Sequence, residues 1–262
     1  MFDFYIGEFQ FKYMEKYFNI YYEFDQQKVD QIIFKHIEEQ KPGYVCSMDM
    51  TNLTIAARNS IHLQVVNNSI VNNCDSNWAP VIINWIYGTN HKNYCGTDLF
   101  IKYVRMNKFK QFFLGANEEI LSGLRNELSK IDPAISDMRF EALPFRTVED
   151  FDYAGIAKMI NEDAPDIIWV SLGAPKQEQF MSLLQPHLNR GVMFGFGAIF
   201  GFFSGTKNAA KPAPNWMIKN KLQWIFRLID EPSKQFGRVK MILATIPRLV
   251  IDEMKRKNKR KI

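Results

Sequence analysis

The residues best suited to chemistry lie in one segment near the middle of the chain. Residues 166–172 form a near-continuous apolar run, which is typical of a strand buried on both faces. Gly173 and Pro175 then predict a tight turn, and the helix that follows has unpaired N–H groups in its first turn that can bind an anion. The side chains of that turn suited to sugar, uracil or phosphate groups are Lys176, Gln177 and Glu178. Spacing alone leaves a plain strand–turn–helix connection equally open.

The elements that must position this turn alternate between strand and helix. Apolar runs predict strands, and periodic segments predict the helices between them. The predicted strands are 111–115, 138–142, 166–172 and 192–196, and the predicted helices are 27–40, 117–131, 147–160 and 176–188. This order predicts an α/β fold with a Rossmann-like, doubly wound, mostly parallel sheet, whose ligands bind at the carboxyl ends of the strands.

The two ends of the chain differ from this core. Residues 1–25 are rich in aromatic side chains and predict strands or an edge extension of the core, which spans residues 1–215. Residues 216–262 predict a helical, amphipathic and basic appendage with breaks at Pro232 and Pro247.

The charge is distributed unevenly along the chain. From Lys219 onward there are 13 Lys and Arg residues and four Asp and Glu residues, a net charge of +9 within a total of +5, so the preceding residues carry −4. We therefore expect an anionic partner for the C-terminal segment. No recognition fold accompanies the basic residues, so nucleic acid is not expected as a partner. The sequence shows no apolar run long enough to span a bilayer and no secretory leader, and its three cysteines suit a reduced cytoplasm.

Several segments resemble one protein family in the same order along the chain. The 14-residue string 165–178 is similar to the most characteristic signature of the WecG/TagA/CpsF glycosyltransferases. Further segments that resemble this family are Gly96-Thr97-Asp98-Leu99, Leu114-Gly115-Ala116, and Gln223 to Leu228 followed by Glu231-Pro232 and Arg238. The resemblance covers roughly residues 18–240. It implies transfer of a hexose, of the N-acetylmannosamine type, from a UDP-sugar to a polyprenyl-diphosphate-linked acceptor in bacterial surface polysaccharide synthesis.

The resemblance also implies a general base. The family's base is an aspartate in an Asp-Gly turn, 26 positions after an asparagine; here Asp75 and Asp49 match, with Ser76 in place of the glycine and Asp49 in place of the asparagine. Asp49 is expected to raise the pKa of Asp75 if the two lie within about 4–6 Å. Roles as turn or capping residues stay open for both aspartates. The two departures also leave open a catalytically weakened nucleotide-sugar-binding or scaffold protein of the same fold.

The implied mechanism is an inverting single displacement without a metal or other cofactor. Asp75 takes the acceptor's proton, while helix N-termini and the arginines of the C-terminal segment stabilise the leaving diphosphate. Asp150-x-Asp152 matches the pattern of metal-dependent glycosyltransferases, but it lies at a predicted helix start, where acidic residues are favoured anyway. The residues expected to bind substrate are Asp49, Asn52, Thr97, Asp98, Gly115, Gly173, Pro175, Lys176, Gln177, Glu178, Arg227 and Arg238.

The C-terminal segment explains how such an enzyme would reach a lipid-linked acceptor. Its apolar and basic residues are suited to an anionic bilayer surface, which predicts a peripheral protein on the cytoplasmic face of the inner membrane. A solvated tail remains the alternative for the final basic run, and a homo-oligomer is left open. A dinucleotide oxidoreductase is not favoured, because no Gly-x-Gly-x-x-Gly follows the first strand.

Overall fold

The structure is a computed structural model that describes residues 14–207 and 209–259. Its strands are β1 (Glu15–Tyr17), β2 (Ile20–Tyr22), β3 (Gly43–Ser47), β4 (Val71–Asn73), β5 (Gln111–Gly115), β6 (Arg139–Glu141), β7 (Ile167–Ser171) and β8 (Val192–Gly195). Strands β3 to β8 form one sheet in the order β4-β3-β8-β7-β5-β6, and every neighbouring pair is parallel. The predicted Rossmann-like α/β fold is therefore confirmed.

Helices cover both faces of this sheet. They are α1 (Gln26–Glu38), α2 (Met50–Arg58), α3 (Ser60–Asn67), α4 (Ala79–Tyr87), α5 (Gly96–Arg105), α6 (Glu118–Ser129), α7 (Tyr153–Asp163), α8 (Lys176–Leu184), α9 (Ile199–Phe203), α10 (Asn215–Lys219), α11 (Gln223–Asp230) and α12 (Pro232–Lys259). Successive residues of β7 enter opposite cores: Ile168 packs into one and Trp169 into the other. This alternation explains why the strand is apolar throughout, because neither of its faces meets water.

Two of the predicted helices differ from the structure. Thr147 does not begin a helix: its hydroxyl bonds the Asp150 carboxylate at 2.9 Å instead of a backbone N–H, and only a short 3-10 turn follows. Helix α7 starts at Tyr153, with Asp152 as its N-cap accepting from the Gly155 N–H at 2.9 Å. Helix α8 ends at Leu184 and not at residue 188, because the next turn contains a proline, which cannot donate a backbone hydrogen bond.

The described part of the N-terminal segment belongs to the core. Strands β1 and β2 form an antiparallel hairpin, and the buried side chains Tyr17, Ile20 and Tyr22 pack into the same apolar cluster as the sheet. Glu23 then makes an isolated parallel bridge to Asn73 at the end of β4. Residues 1–13, which complete the predicted aromatic extension, lie outside the described residues.

The C-terminal segment is helical, as predicted, and it packs on the core. Pro232 separates α11 from α12, but the predicted break at Pro247 is wrong, because α12 continues through it to Lys259. A proline removes one backbone hydrogen bond. The apolar residues on both sides of it, Ile246 and Leu249, hold α12 against the core. Among the described residues, no helix is both long enough and apolar enough to cross a membrane.

Candidate active site

The loops that follow four neighbouring strands meet at the carboxyl edge of the sheet. Asp49 follows β3, Asp75 follows β4, Gly173 follows β7 and Gly197 follows β8. The first two loops are joined directly, because the Asp75 N–H donates to the Met48 carbonyl at 3.1 Å. The structure therefore gathers the predicted base and the predicted anion-binding turn at the same edge.

Asp75 is held by the start of α5. Its Oδ1 accepts from the Gly96 N–H at 2.8 Å, and a Cβ at position 96 would lie 2.9 Å from the Phe196 ring and 3.3 Å from the Asp75 carboxylate. Only glycine allows this close approach. Burial, together with the negative charge of Asp49, raises the pKa of Asp75 from 3.8 to about 6, against the opposing effect of the hydrogen bond from Gly96. A carboxylate with a pKa near 6 is a suitable proton acceptor near neutral pH.

Ser76, which stands where the family has glycine, does not disturb this turn. Its hydroxyl accepts from the N–H groups of Trp78 at 3.1 Å and Ala79 at 3.0 Å in the turn that leads into α4. These bonds are formed alongside the bond from the Gly96 N–H that holds Asp75.

Asp49 has both a structural and an electrostatic role. It is the N-cap of α2, and its Oδ1 accepts from the Asn52 N–H at 2.7 Å. Burial raises its own pKa, and its negative charge is one of the causes that raise the pKa of Asp75. The predicted effect of Asp49 on Asp75 is confirmed in direction.

Two arginines of the C-terminal segment face this pair of carboxylates. The charge of Arg227 lowers the pKa of Asp75, and the charge of Arg238 lowers that of Asp49. Burial lowers the pKa of Arg227, whose guanidinium carbon lies 4.7 Å from the centre of the Phe202 ring. Helices α11 and α12 thus bring positive charge to the carboxyl edge of the sheet.

A buried polar network connects the loop after β3 with the turn after β7. The Asn52 amide donates to Glu178 Oε1 at 3.1 Å and its oxygen lies 3.2 Å from His62 Nε2. Gln177 also donates to Glu178 Oε1, at 3.0 Å, and to the Gly195 carbonyl at 2.8 Å, while its oxygen accepts from the Gly173 N–H at 3.1 Å. Glu178 is fully buried, so its carboxylate lies beneath the surface of the protein at this edge of the sheet.

The turn after β7 is tightly packed against the end of β8. Gly173 has a φ of +77°, and a Cβ on Gly197 would lie 2.6 Å from its Cα. The Ala174–Pro175 peptide bond is cis. Gly115, at the end of β5, pairs with Ser171 at the end of β7 and completes this part of the edge. At these small residues the backbone segments of the two turns lie close together.

Three of the predicted binding residues have more exposed positions. Lys176 is directed to the loop before α7, where its amine bonds the Arg146 carbonyl and lies 5.1 Å from the centre of the Phe145 ring. Thr97 and Asp98 lie in the first turn of α5, next to Gly96; the Thr97 hydroxyl contacts Cys95 Sγ at 2.9 Å and Asp98 is exposed.

A comparison with protein-family models matches residues 19–261 to the glycosyl transferase WecG/TagA/CpsF family. The chain belongs to this family. Two similar proteins have the name N-acetylglucosaminyldiphosphoundecaprenol N-acetyl-beta-D-mannosaminyltransferase. The protein of Bacillus subtilis strain 168 is 29% identical over 231 residues, which span 87% of this chain and 85% of the relative. The protein of Staphylococcus aureus strain NCTC 8325 / PS 47 is 32% identical over 146 residues, which span 55% of this chain and 54% of the relative.

The two aspartates of the Asp150-x-Asp152 pattern form hydrogen bonds with nearby residues of the chain. Asp150 accepts from Thr147, and Asp152 caps α7, as described above. Within residues 14–207 and 209–259 there is no group of three or more His, Cys, Asp or Glu side chains placed to hold a metal ion.

Sequence patterns did not reveal two neighbours of the site. His62 is fully buried beside Asn52, and its pKa is lowered to about 4 by burial, so it is neutral there. Phe202 lies under Arg227. His62 is separated from Asn52 by a helix boundary and Phe202 is remote from Arg227 in sequence, so no spacing links either pair.

Proposed function

We propose that the protein is an inverting glycosyltransferase that moves an N-acetylmannosamine-type hexose from a UDP-sugar to an N-acetylglucosaminyl-diphosphoundecaprenol acceptor. The family establishes glycosyl transfer as the class of reaction. The names of the two relatives support the sugar and the acceptor. The observation that carries the mechanism is the buried carboxylate of Asp75, whose pKa is raised to about 6 and which interacts with the charges of Asp49 and Arg227.

In the proposed reaction the acceptor hydroxyl gives its proton to Asp75. The hydroxyl oxygen forms a bond to the anomeric carbon as the bond from that carbon to the phosphate oxygen breaks, and the electron pair leaves with UDP. A single displacement inverts the anomeric configuration, which yields the β linkage in the relatives' names when the donor is α-linked.

The leaving diphosphate carries negative charge that must be stabilised. We assign this role to Arg227 and Arg238, together with the N-terminus of α8 after the turn at Gly173, whose helix dipole favours anions. Positive charge from these groups would make a divalent metal unnecessary. Transfer that survives excess EDTA would support this assignment, and transfer that requires added Mg²⁺ or Mn²⁺ would contradict it.

The remaining predicted binding residues surround this centre. Gln177 and Asn52 fix the two loops that border the crevice, and Thr97 and Asp98 extend from the helix that holds Asp75. We propose that Thr97 and Asp98 contact donor or acceptor hydroxyl groups. Gln177 and Asn52 are buried and bonded within the polar network, so we assign them the positioning of the two loops. The protein would act at the cytoplasmic face of the membrane, since its acceptor is lipid-linked and its C-terminal segment is basic.

The test is a transfer assay with a panel of UDP-sugars and a polyprenyl-diphosphate-N-acetylglucosamine acceptor, in which the product is identified by mass. We expect a product with one added N-acetylhexosamine, and we expect Asp75→Asn to reduce kcat by about 10²-fold or more. Asp25→Asn, which changes an aspartate that caps α1, is the matched control. A protein that binds UDP-sugar yet gives no product in either form would instead support the weakened binding or scaffold function.

A further inference from the structure

All five tryptophans belong to the described part of the chain, and four of them are exposed. Trp169 is fully buried in β7. The exposed fractions of the others are 68% for Trp85, 60% for Trp216, 47% for Trp224 and 45% for Trp78. Tryptophan is highly buried on average in folded proteins, so exposed indoles that lie on one face mark a candidate contact surface.

Two of these tryptophans share one face of α4. Trp78, at the start of the helix, Val81 and Trp85 are spaced by three and four residues and are all exposed. Residues at this spacing lie above one another on a helix. The opposite face of α4 is buried through Ile83 and Ile86, so the helix is apolar on both faces.

The exposed face of α4 adjoins the C-terminal helices at both ends. At its start, the Asn77 amide donates to Gln223 Oε1 at 2.6 Å, and these two residues directly precede Trp78 and Trp224 in the sequence. At its end, the Tyr87 hydroxyl donates to Glu253 Oε1 at 2.8 Å, and the Lys257 amine donates to the Ile86 carbonyl.

Positive charge borders this apolar face. A hollow of about 280 Å³ beside Val81 and Pro80 is also lined by Lys92 and Lys221. The C-terminal helices that bracket α4 belong to the segment that carries a net charge of +9. Tryptophan beside lysine and arginine is the composition of protein surfaces at the level of lipid headgroups, where the indole ring has both apolar and polar neighbours.

We propose that Trp78, Val81 and Trp85 on α4 form, together with Trp224 on α11, a surface that docks on an anionic lipid bilayer. This deepens the proposed function, since it rests on a lipid-linked acceptor. It places a bilayer contact on the catalytic core itself, three residues after Asp75, so the bilayer surface would lie close to the proposed base. The acceptor's diphosphate, which stays at the headgroup level, would then lie near the crevice while its polyprenyl chain stays in the bilayer.

The test compares Trp78→Ser/Trp85→Ser with the wild-type chain in vesicle flotation, using phosphatidylcholine vesicles with and without phosphatidylglycerol. We expect the wild type to bind the anionic vesicles with a blue shift of its tryptophan emission, and the double variant to bind them at least about tenfold more weakly. Leu183→Ser, which changes an exposed apolar residue on α8, is the matched control and should bind as the wild type does. The single variants Trp78→Ser and Trp85→Ser, checked by circular dichroism, separate lost binding from lost folding.

Two results would overturn the docking surface. One is a folded double variant that floats with anionic vesicles as the wild type does. The other is a vesicle-independent dimer of the wild type that the double substitution dissociates, which would assign the tryptophans to a second copy of the chain. Transfer to a short-chain, water-dispersed acceptor separates this proposal from the proposed function. The double variant should still transfer sugar to this acceptor. If the wild type does not transfer sugar to it, that result counts against the proposed glycosyltransferase mechanism and leaves the docking surface untouched.

Discussion

Replacing Asp49 by asparagine provides a direct test of the electrostatics at the site. Asp49 caps α2 through a bond from the Asn52 N–H, and asparagine is an equally good N-cap, so the fold should be preserved. The substitution removes one negative charge that raises the pKa of Asp75. The pKa of Asp75 should therefore fall.

The size of this fall is limited by the causes of the shift. The pKa of Asp75 rises from 3.8 to about 6, and burial, which the substitution leaves in place, is the largest cause. The charge of Asp49 is a smaller cause, so we expect a fall of roughly half a pH unit, about 0.7 kcal/mol. Because the base acts in its deprotonated form, the acid limb of kcat/KM should move to lower pH by that amount.

The assay is the pH dependence of kcat/KM for the donor at a fixed acceptor concentration, between about pH 4.5 and 8, which spans the pKa near 6. Asp25→Asn removes a capping carboxylate from α1 and serves as the control, whose profile should not move. An acid limb that stays in place or moves to higher pH in Asp49→Asn would refute the argument that Asp49 tunes the base.

Further predictions concern the network, the turn after β7 and the C-terminal helices. Burial raises the pKa of Glu178 from 4.5 to about 7, so the folded state of the wild type loses stability as the pH rises through this range. Glu178→Gln lacks this titration. The difference in unfolding free energy between the variant and the wild type, measured by urea unfolding, should therefore shift in favour of the variant by about 1–3 kcal/mol between pH 5 and pH 8. Gly197→Ala should lower Tm and raise KM for the donor, because its Cβ would lie 2.6 Å from Gly173 Cα; an unchanged KM would argue against a donor site at this turn. Arg227→Ala should lower kcat by about 100-fold with little change in Tm, and a loss confined to stability would contradict its role at the diphosphate. Pro247→Ala should stabilise α12 by about 1 kcal/mol or more in urea unfolding, since it restores a backbone donor inside a helix.

The sequence predicted four of the six strands of the sheet, β5 to β8, because these strands carry strong local signals, and it did not predict β3 and β4. Strands β5 and β7 are short apolar runs bounded by turn residues, and each lies within one residue of its predicted limits. The helix start at Thr147 could not be predicted correctly, since the capping-box pattern does not show that the threonine hydroxyl would bond the Asp150 side chain. A capping pattern in the sequence gives the wrong helix start where the capping hydroxyl bonds another side chain instead of a backbone N–H.

The structure brings several of the predicted site residues to one edge of the sheet, but their arrangement could not be read from the sequence. Asp75 and Asp49 were found through the spacing of a family motif, and the structure shows that their charges interact. The burial of Glu178 could not be read from its position in the first turn of α8, because that depends on Asn52, 126 residues earlier, and on the packing of α2 beside it. For the same reason, the sequence predicted an amphipathic C-terminal segment but not that Ile246 and Leu249 use one side of it for the core.

Glu23 forms a bridge to β4, the strand at one margin of the sheet, and this bridge bears on pairing with other chains. An unpaired strand margin is a template on which another chain can add its own backbone. Here the Glu23 N–H donates to the Asn72 carbonyl at 3.0 Å, and the Asn72 amide bonds the Tyr21 carbonyl, so one margin is already occupied. The other margin, β6, is three residues long and carries the Arg139–Glu141 ion pair. The two margins of the sheet therefore offer few free backbone groups to which another chain could add a strand.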